Sequence, residues 1–309
     1  MAFSPKDAGM PIFLFVSAVC NSFFLVRVIR DFCQNSVLAG SPAVAMLLSA
    51  CAELCWVVPC LVQCALIFFM GNDDLGSFSP NNRPGCDFQG FYSVLGSIAG
   101  MLSGLLIAVY TYLIAKSNGA SVLGVDGIVN ALPAKRTTMA IATVIFVFSL
   151  IIALLPVVAL GHYKNNNEGF CYIDWYDNAQ SGIMFAITLP TFITTVALFS
   201  SILAHGRWPD KTDILLMLFS FISAWALWLP ASIMGFARVA FPSGYHISGG
   251  ILGHAQALIN PYLYGVRWRK SLLTLGCGVE LTTAANGKIK SVVDEVPEVH
   301  ATPVAPGAP

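Results

Sequence analysis

The last of seven apolar stretches ends on Asn260-Pro261-Tyr262-Leu263-Tyr264. Proline inside a hydrophobic span removes a backbone donor, so the carbonyl it frees must be met by a nearby polar group. Asn260, directly before Pro261, is placed to supply one. A membrane-crossing helix needs about 20 apolar residues. The spans read as Pro11–Phe32, Ala43–Met70, Phe88–Ala115, Met139–Leu160, Gly182–Ala204, Ile214–Ala240 and Ile247–Tyr264. Charged residues make up 10% of the chain and hydrophobic ones 56%, with a mean hydropathy of +0.73; a soluble domain carries about 25% charged residues. The expected fold is an all-α membrane protein, a seven-transmembrane helix bundle. Residues 1–10 form the outer N-terminus, residues 11–277 one helical domain, and residues 278–309 a tail with the composition of a disordered segment.

Lys and Arg in the loops set the expected orientation. With the N-terminus outside, outer segments hold Lys6, Arg83, Lys164 and Arg238, and the other twelve basic residues lie inside. That imbalance predicts a multi-pass protein of the plasma membrane with a cytosolic tail. Reading Ile12–Cys20 as a cleaved signal peptide is disfavoured, because six spans would then put both termini on one side. Net charge is zero and no basic run is dense enough to suggest nucleic acid, so none is expected as a partner. Cys51/Cys55 and Cys60/Cys64 have the i,i+4 spacing that suits a metal, but no histidine or acid stands at ligand spacing in sequence, so they read as packing residues. Cys86 and Cys171 fall on the outer side, where oxidising conditions allow a bridge. No nucleophile–base set can be assembled, so no enzyme activity is expected.

Asn-Pro-x-x-Tyr at the end of the seventh span resembles the signature of rhodopsin-like G-protein-coupled receptors. Asn21 occupies the place of the family's first-span asparagine, and Glu53 the place where it usually has aspartate. Pro156, Pro190 and Trp228-Leu229-Pro230 match prolines of spans four to six. Arg267–Leu273 is similar to the short amphipathic eighth helix on the inner membrane surface, followed by Cys277, either palmitoylated or unmodified. Glu168-Gly169-Phe170-Cys171-Tyr172-Ile173-Asp174-Trp175-Tyr176 looks like the opsin loop that plugs the retinal pocket. The resemblance implies a Cys86–Cys171 disulfide and a polar core of Asn21, Glu53, Gln256, Asn260, Pro261 and Tyr264. It also implies a ligand site near Gln89, Glu168, Trp228 and His254.

Two departures qualify what the resemblance implies. An opsin carries its retinal on a lysine six residues before the Asn-Pro pair, and here that residue is His254. Imidazole forms no stable imine, so no covalent retinal, and no cofactor, is expected. His254 either donates to a ligand or packs as a satisfied histidine. At the inner end of span three the family has Asp/Glu-Arg-Tyr, whereas this chain reads Tyr110-Thr111-Tyr112, with Asp210 where a partner acid would stand. G-protein coupling through these residues is expected to be weak. Glu53, the acid deep in a span, must face the bundle interior. It is read either as a neutral hydrogen-bonded group partnered by Asn21, Asn260 or Gln256, or as a sodium site, which Gly100 weakens by replacing a serine. Trp228 either lies under a ligand or fills a proline-kink cavity.

The expected function is a receptor sensing a small apolar ligand and signalling to a cytosolic partner such as a heterotrimeric G protein. The alternative is a non-signalling seven-helix protein that binds a free retinoid or lipid. A transporter would need internal repeats, and none is present.

Overall fold

The computed structural model describes residues 9–33, 38, 40–70, 79–117, 131–165, 171–242 and 245–277. Met1–Gly278 forms one compact unit, and a second unit, Val279–Pro309, lies outside the described residues together with Glu168. The first unit runs α1 (Gly9–Cys33), α2 (Ser41–Met70), α3 (Arg83–Ser117) and α4 (Lys135–Val158), then a short hairpin of β1 (Lys164–Asn165) and β2 (Cys171–Tyr172). It continues with α5 (Asn178–His205), α6 (Lys211–Trp225), α7 (Trp228–Phe236), α8 (Tyr245–Tyr262), a π-helical turn (Leu263–Trp268) and α9 (Arg269–Cys277).

Among the described residues, six helices are long and apolar enough to cross a membrane, with α6 and α7 together forming the sixth over Lys211–Phe236. The chain is a multi-pass all-α membrane protein. The expected seventh span, α8, is not among the six. Ser248, Gly249, Gly250, Gly253, His254, Gln256 and Asn260 dilute its apolar character.

The pattern of burial on α4 shows what surrounds the bundle. Its buried residues are Thr138, Ser149, Ala153 and Pro156, while Val144, Val147, Ile151 and Val158 face outward. A helix in water would reverse that arrangement. In lipid, small and hydroxyl residues let helices approach while large apolar ones meet the acyl chains.

Prolines act differently along the bundle. Pro59, Pro156 and Pro190 stay within α2, α4 and α5. Pro230 instead follows a break at Ala226–Leu227 and stands in the first turn of α7, where a missing N–H costs least. Asp177 caps α5 by accepting from the Gln180 N–H, and Asp210 caps α6 by accepting from the Thr212 N–H.

The core forms two apolar clusters. One gathers Trp56, Cys86, Tyr172, Trp175, Trp225 and Trp228 towards the Cys86 end. The other gathers Tyr110, Ile214, Met217, Tyr264 and Trp268 towards the opposite end. Trp56 fits because two glycines leave it room. A Cβ on Gly96 would sit 2.4 Å from Trp56 Cβ, and one on Gly253 would sit 2.3 Å from the far edge of the indole. Gly96→Ala should therefore lower the melting temperature in detergent by an amount equivalent to about 1–3 kcal/mol of overpacking. Gly250→Ala meets nothing within 4 Å and should be neutral or stabilising by up to about 1 kcal/mol, the helical preference for alanine. Equal effects at the two positions would contradict this packing.

Candidate functional site

At the Cys86 end, a disulfide joins Cys86 in α3 to Cys171 in β2, with Cα atoms 5.2 Å apart. Gln89 Oε1 accepts from the Cys171 N–H at 2.6 Å. These two links hold β2 down onto α3. β2 and the residues after it send Tyr172 and Trp175 into the bundle, where their rings lie 4.7 and 6.0 Å from that of Trp228. Burial pushes the Tyr172 phenol above its ordinary pKa, with a bond to Ser97 opposing the shift. Gln180 ties the loop from the other side, donating to the Leu160 and His162 carbonyls and accepting from the Asp174 N–H.

These contacts alter the expected ligand site. Gln89 supports the loop backbone instead of facing an open pocket. The cavity beside Trp228, lined by Ser97, Met101, Tyr172, Met184, Thr188 and Trp225 among others, has a volume of about 10 Å³, room for about one water. His254 does not line it. Its ring packs on Trp56 at 4.5 Å, and its Nε2 lies 3.4 Å from Cys60 Sγ. The reading that no histidine accompanies the Cys60/Cys64 pair holds in sequence but not in space, since 194 residues separate Cys60 from His254.

The centre of the bundle holds the polar core. Asn260 Nδ2 donates to Glu53 Oε1 at 2.7 Å, joining α8 to α2. Of the three expected partners of Glu53, Asn260 is the one that bonds it. Asn21 donates instead to the carbonyls of Ser17 (2.9 Å) and Ala257 (2.6 Å). Ala257 lies four residues before Pro261, so its carbonyl is the one the proline frees. The group that re-satisfies it is therefore Asn21 in α1, not the adjacent Asn260. Gln256 is buried on α8 without a bond to Glu53. A Cβ on Gly100 would stand 3.9 Å from Glu53 Oε1, so the position of α3 facing Glu53 itself carries no side-chain oxygen for a sodium ion.

At the opposite end, the π-helical turn after Pro261 carries the chain out of α8. Tyr264 and Trp268 are buried. Trp268 Nε1 donates to Thr111 Oγ1 at 3.0 Å, and Thr111 Oγ1 donates to the Ile107 carbonyl at 2.7 Å. Tyr110 bonds Thr138 in α4 at 2.7 Å. Tyr110 and Thr111 are thus enclosed within the bundle, not presented to a cytosolic partner, and only Tyr112 of the three is partly exposed. Asp210 does not face Thr111. It caps α6 and accepts from Arg267 Nη2 at 3.1 Å. Bonds from Thr212, aided by the charges of Arg267 and Lys270, hold its carboxyl below the usual range.

Two acids that the sequence did not point to complete this end. Asp213, almost fully buried, accepts from Arg267 Nε at 2.5 Å and from Ser271 Oγ at 2.8 Å. Asp31 takes both ends of the Arg269 fork at 2.8 and 3.0 Å. The available signal was charge: acids near the ends of α1 and α6, opposite the basic run Arg267–Lys270. Cys277 is the last residue of α9.

No protein-family model matches the chain, and no curated protein matches it.

The Trp268 bond yields a prediction. Thr111→Val removes the acceptor and leaves a buried indole N–H unpaired, which should cost about 1–3 kcal/mol in thermal stability. Thr111→Ser, which keeps the hydroxyl, should lose distinctly less. Equal losses would mean that the methyl contact matters and the hydrogen bond does not.

Proposed function

We propose that this chain is a seven-helix receptor of the rhodopsin-like kind, which senses a small apolar ligand at the Cys86 end and signals to a cytosolic partner at the other. α8 serves as the seventh span. The N-terminus faces outward at the plasma membrane, in keeping with the distribution of Lys and Arg. The observation that carries the reading is the Glu53–Asn260 bond, set between the two apolar clusters and joining α2 to α8. Above it lie Trp225 and Trp228, with Tyr172 against Trp228. Below it lie Tyr264, Trp268 and the Arg267 clamp on α6. A ligand that moved the aromatic plug would act on both clusters through this junction.

Coupling to a heterotrimeric G protein is proposed to be weak in the wild-type chain. Thr111 offers one short hydroxyl, already engaged by Trp268, where an arginine would offer a long charged fork. Arg267 also holds α6 closed through Asp210 and Asp213. The alternative, a non-signalling protein that holds a free retinoid or lipid, requires the Tyr172–Trp175–Trp228 plug to move apart, because the space beside Trp228 admits about one water.

Nucleotide exchange on a panel of G proteins in reconstituted membranes tests the reading. Arg267→Ala should raise exchange above a low wild-type level, since each 1.4 kcal/mol or so removed from the closed arrangement shifts its population about tenfold. Asp213→Asn should act in the same direction. High wild-type exchange unaffected by either change would overturn the proposal that this clamp restrains coupling. No exchange from any variant would favour the non-signalling alternative.

A further inference from the structure

We propose that the first turns of α8 hold a subsite for a small neutral carbonyl compound, a ketone, ester or amide, beside Gly250. This subsite belongs to the ligand site proposed above for the Cys86 end and rests on that reading. It lies on the α8 side of Trp228, apart from the small cavity lined by Thr188.

Glycines open the space. Gly250, Gly253 and His254 stand at helix positions i, i+3 and i+4, so they share one face of α8. Gly253 and His254 both meet Trp56 of α2, so that face looks towards α2. Gly250 is buried, yet no described atom lies within 4 Å of where its Cβ would stand. The neighbouring Gly249 is closed off by Trp228. A Cβ there would lie 3.8 Å from Cζ2 and 4.0 Å from Cε2, the carbon bonded to Nε1. The indole edge that carries the N–H is therefore the one turned to α8. A helical side chain leans towards the N-terminus of its helix, so His254 leans towards the turn of Gly250.

Three polar atoms around this face are unpaired. Trp56 Nε1, Trp228 Nε1 and His254 Nδ1 have no hydrogen-bond partner among the described residues, and the three residues are 2%, 5% and 1% exposed. An indole N–H can only donate, and a buried donor left unpaired is costly. His254 adds a third donor when Nδ1 carries the proton and Nε2 accepts from the Cys60 thiol. The complementary ligand group is an acceptor. A carboxylate is disfavoured, because α8 carries no Lys, Arg, Asp or Glu to balance it and a bare anion in an apolar interior is expensive. A carbonyl oxygen brings two lone pairs, no charge and no further proton that needs a partner.

The test is NMR of the full-length protein in lipid nanodiscs with isotope-labelled tryptophan. It is titrated with cyclohexanone and with methylenecyclohexane, which replaces the oxygen by a methylene group at nearly the same shape. Trp56→Phe and Trp228→Phe assign the two indole signals. Cyclohexanone should shift at least one of them downfield, saturably, with an affinity about tenfold above that of methylenecyclohexane, the factor for one hydrogen bond to an unpaired buried donor. The Trp268 signal, already bonded to Thr111, should not move. Gly250→Leu fills the space and should abolish the shift, its folding being read from an unchanged Trp268 signal; the wild-type comparison of the two probes decides without it. The proposal is overturned by the absence of a saturable shift, by equal affinity for the two probes, or by a shift that persists in folded Gly250→Leu. Equal affinity would leave the receptor reading standing. A shift as expected in a chain whose variants promote no nucleotide exchange would instead overturn the signalling part of that reading and keep the carbonyl subsite.

Discussion

A carboxyl group placed deep in an apolar bundle must find a hydrogen-bond partner there, because lipid offers none. Glu53 finds one in Asn260, and much of the arrangement depends on that pairing. It fixes the rotation of α8 against α2. That rotation brings Gly253 against the Trp56 ring and places His254 beside Cys60. It also turns the Ala257 carbonyl, freed by Pro261, towards Asn21 in α1. Three helices are thereby tied at one depth by two side-chain amides.

The ends of the bundle are closed by different chemistry. At the Cys86 end, the disulfide and the Gln89 bond fasten a loop whose aromatic residues fill the space over Trp228. Packing dominates there, with little room for water. At the other end the closure is ionic. Arg267 and Arg269 each reach an acid on another helix, and the Asp31 and Asp213 side chains are each about 4% exposed. Burial makes such pairs costly to break from one side, since the remaining charge is left unpaired. The π-helical turn between α8 and α9 delivers Arg267 to α6 while burying Trp268 against α3.

Hydropathy placed the helices well, because six of the spans are long and nearly free of charge. The seventh was read as a span from its closing Asn-Pro motif, but α8 falls short of the other six in apolar character, since the residues that link it to its neighbours are polar or glycine. Glu53 was recognisable as a buried group from its isolation. Its partner was legible only as one of three asparagine and glutamine candidates, as sequence spacing says nothing about which amide faces which helix. The long-range bonds were not legible at all. Asn21 to Ala257, Thr111 to Trp268 and Cys60 to His254 join residues 236, 157 and 194 positions apart. Each depends on helix rotation, which a window of sequence does not encode. Reading Thr111 against an absent arginine directed attention to Asp210 and away from Asp213, the more deeply buried acid.

The pairing of Glu53 with Asn260 is the central claim, and a double-mutant cycle tests it directly. Thermal stability would be measured for Glu53→Leu, Asn260→Leu and the double variant in one lipid or detergent condition. If the two side chains satisfy each other, each single change strands a buried polar partner, and the double change relieves it. The predicted coupling is about 1–3 kcal/mol, the cost of an unsatisfied buried group. Strictly additive losses would show that Glu53 and Asn260 do not depend on each other, and the account of the bundle centre would fail.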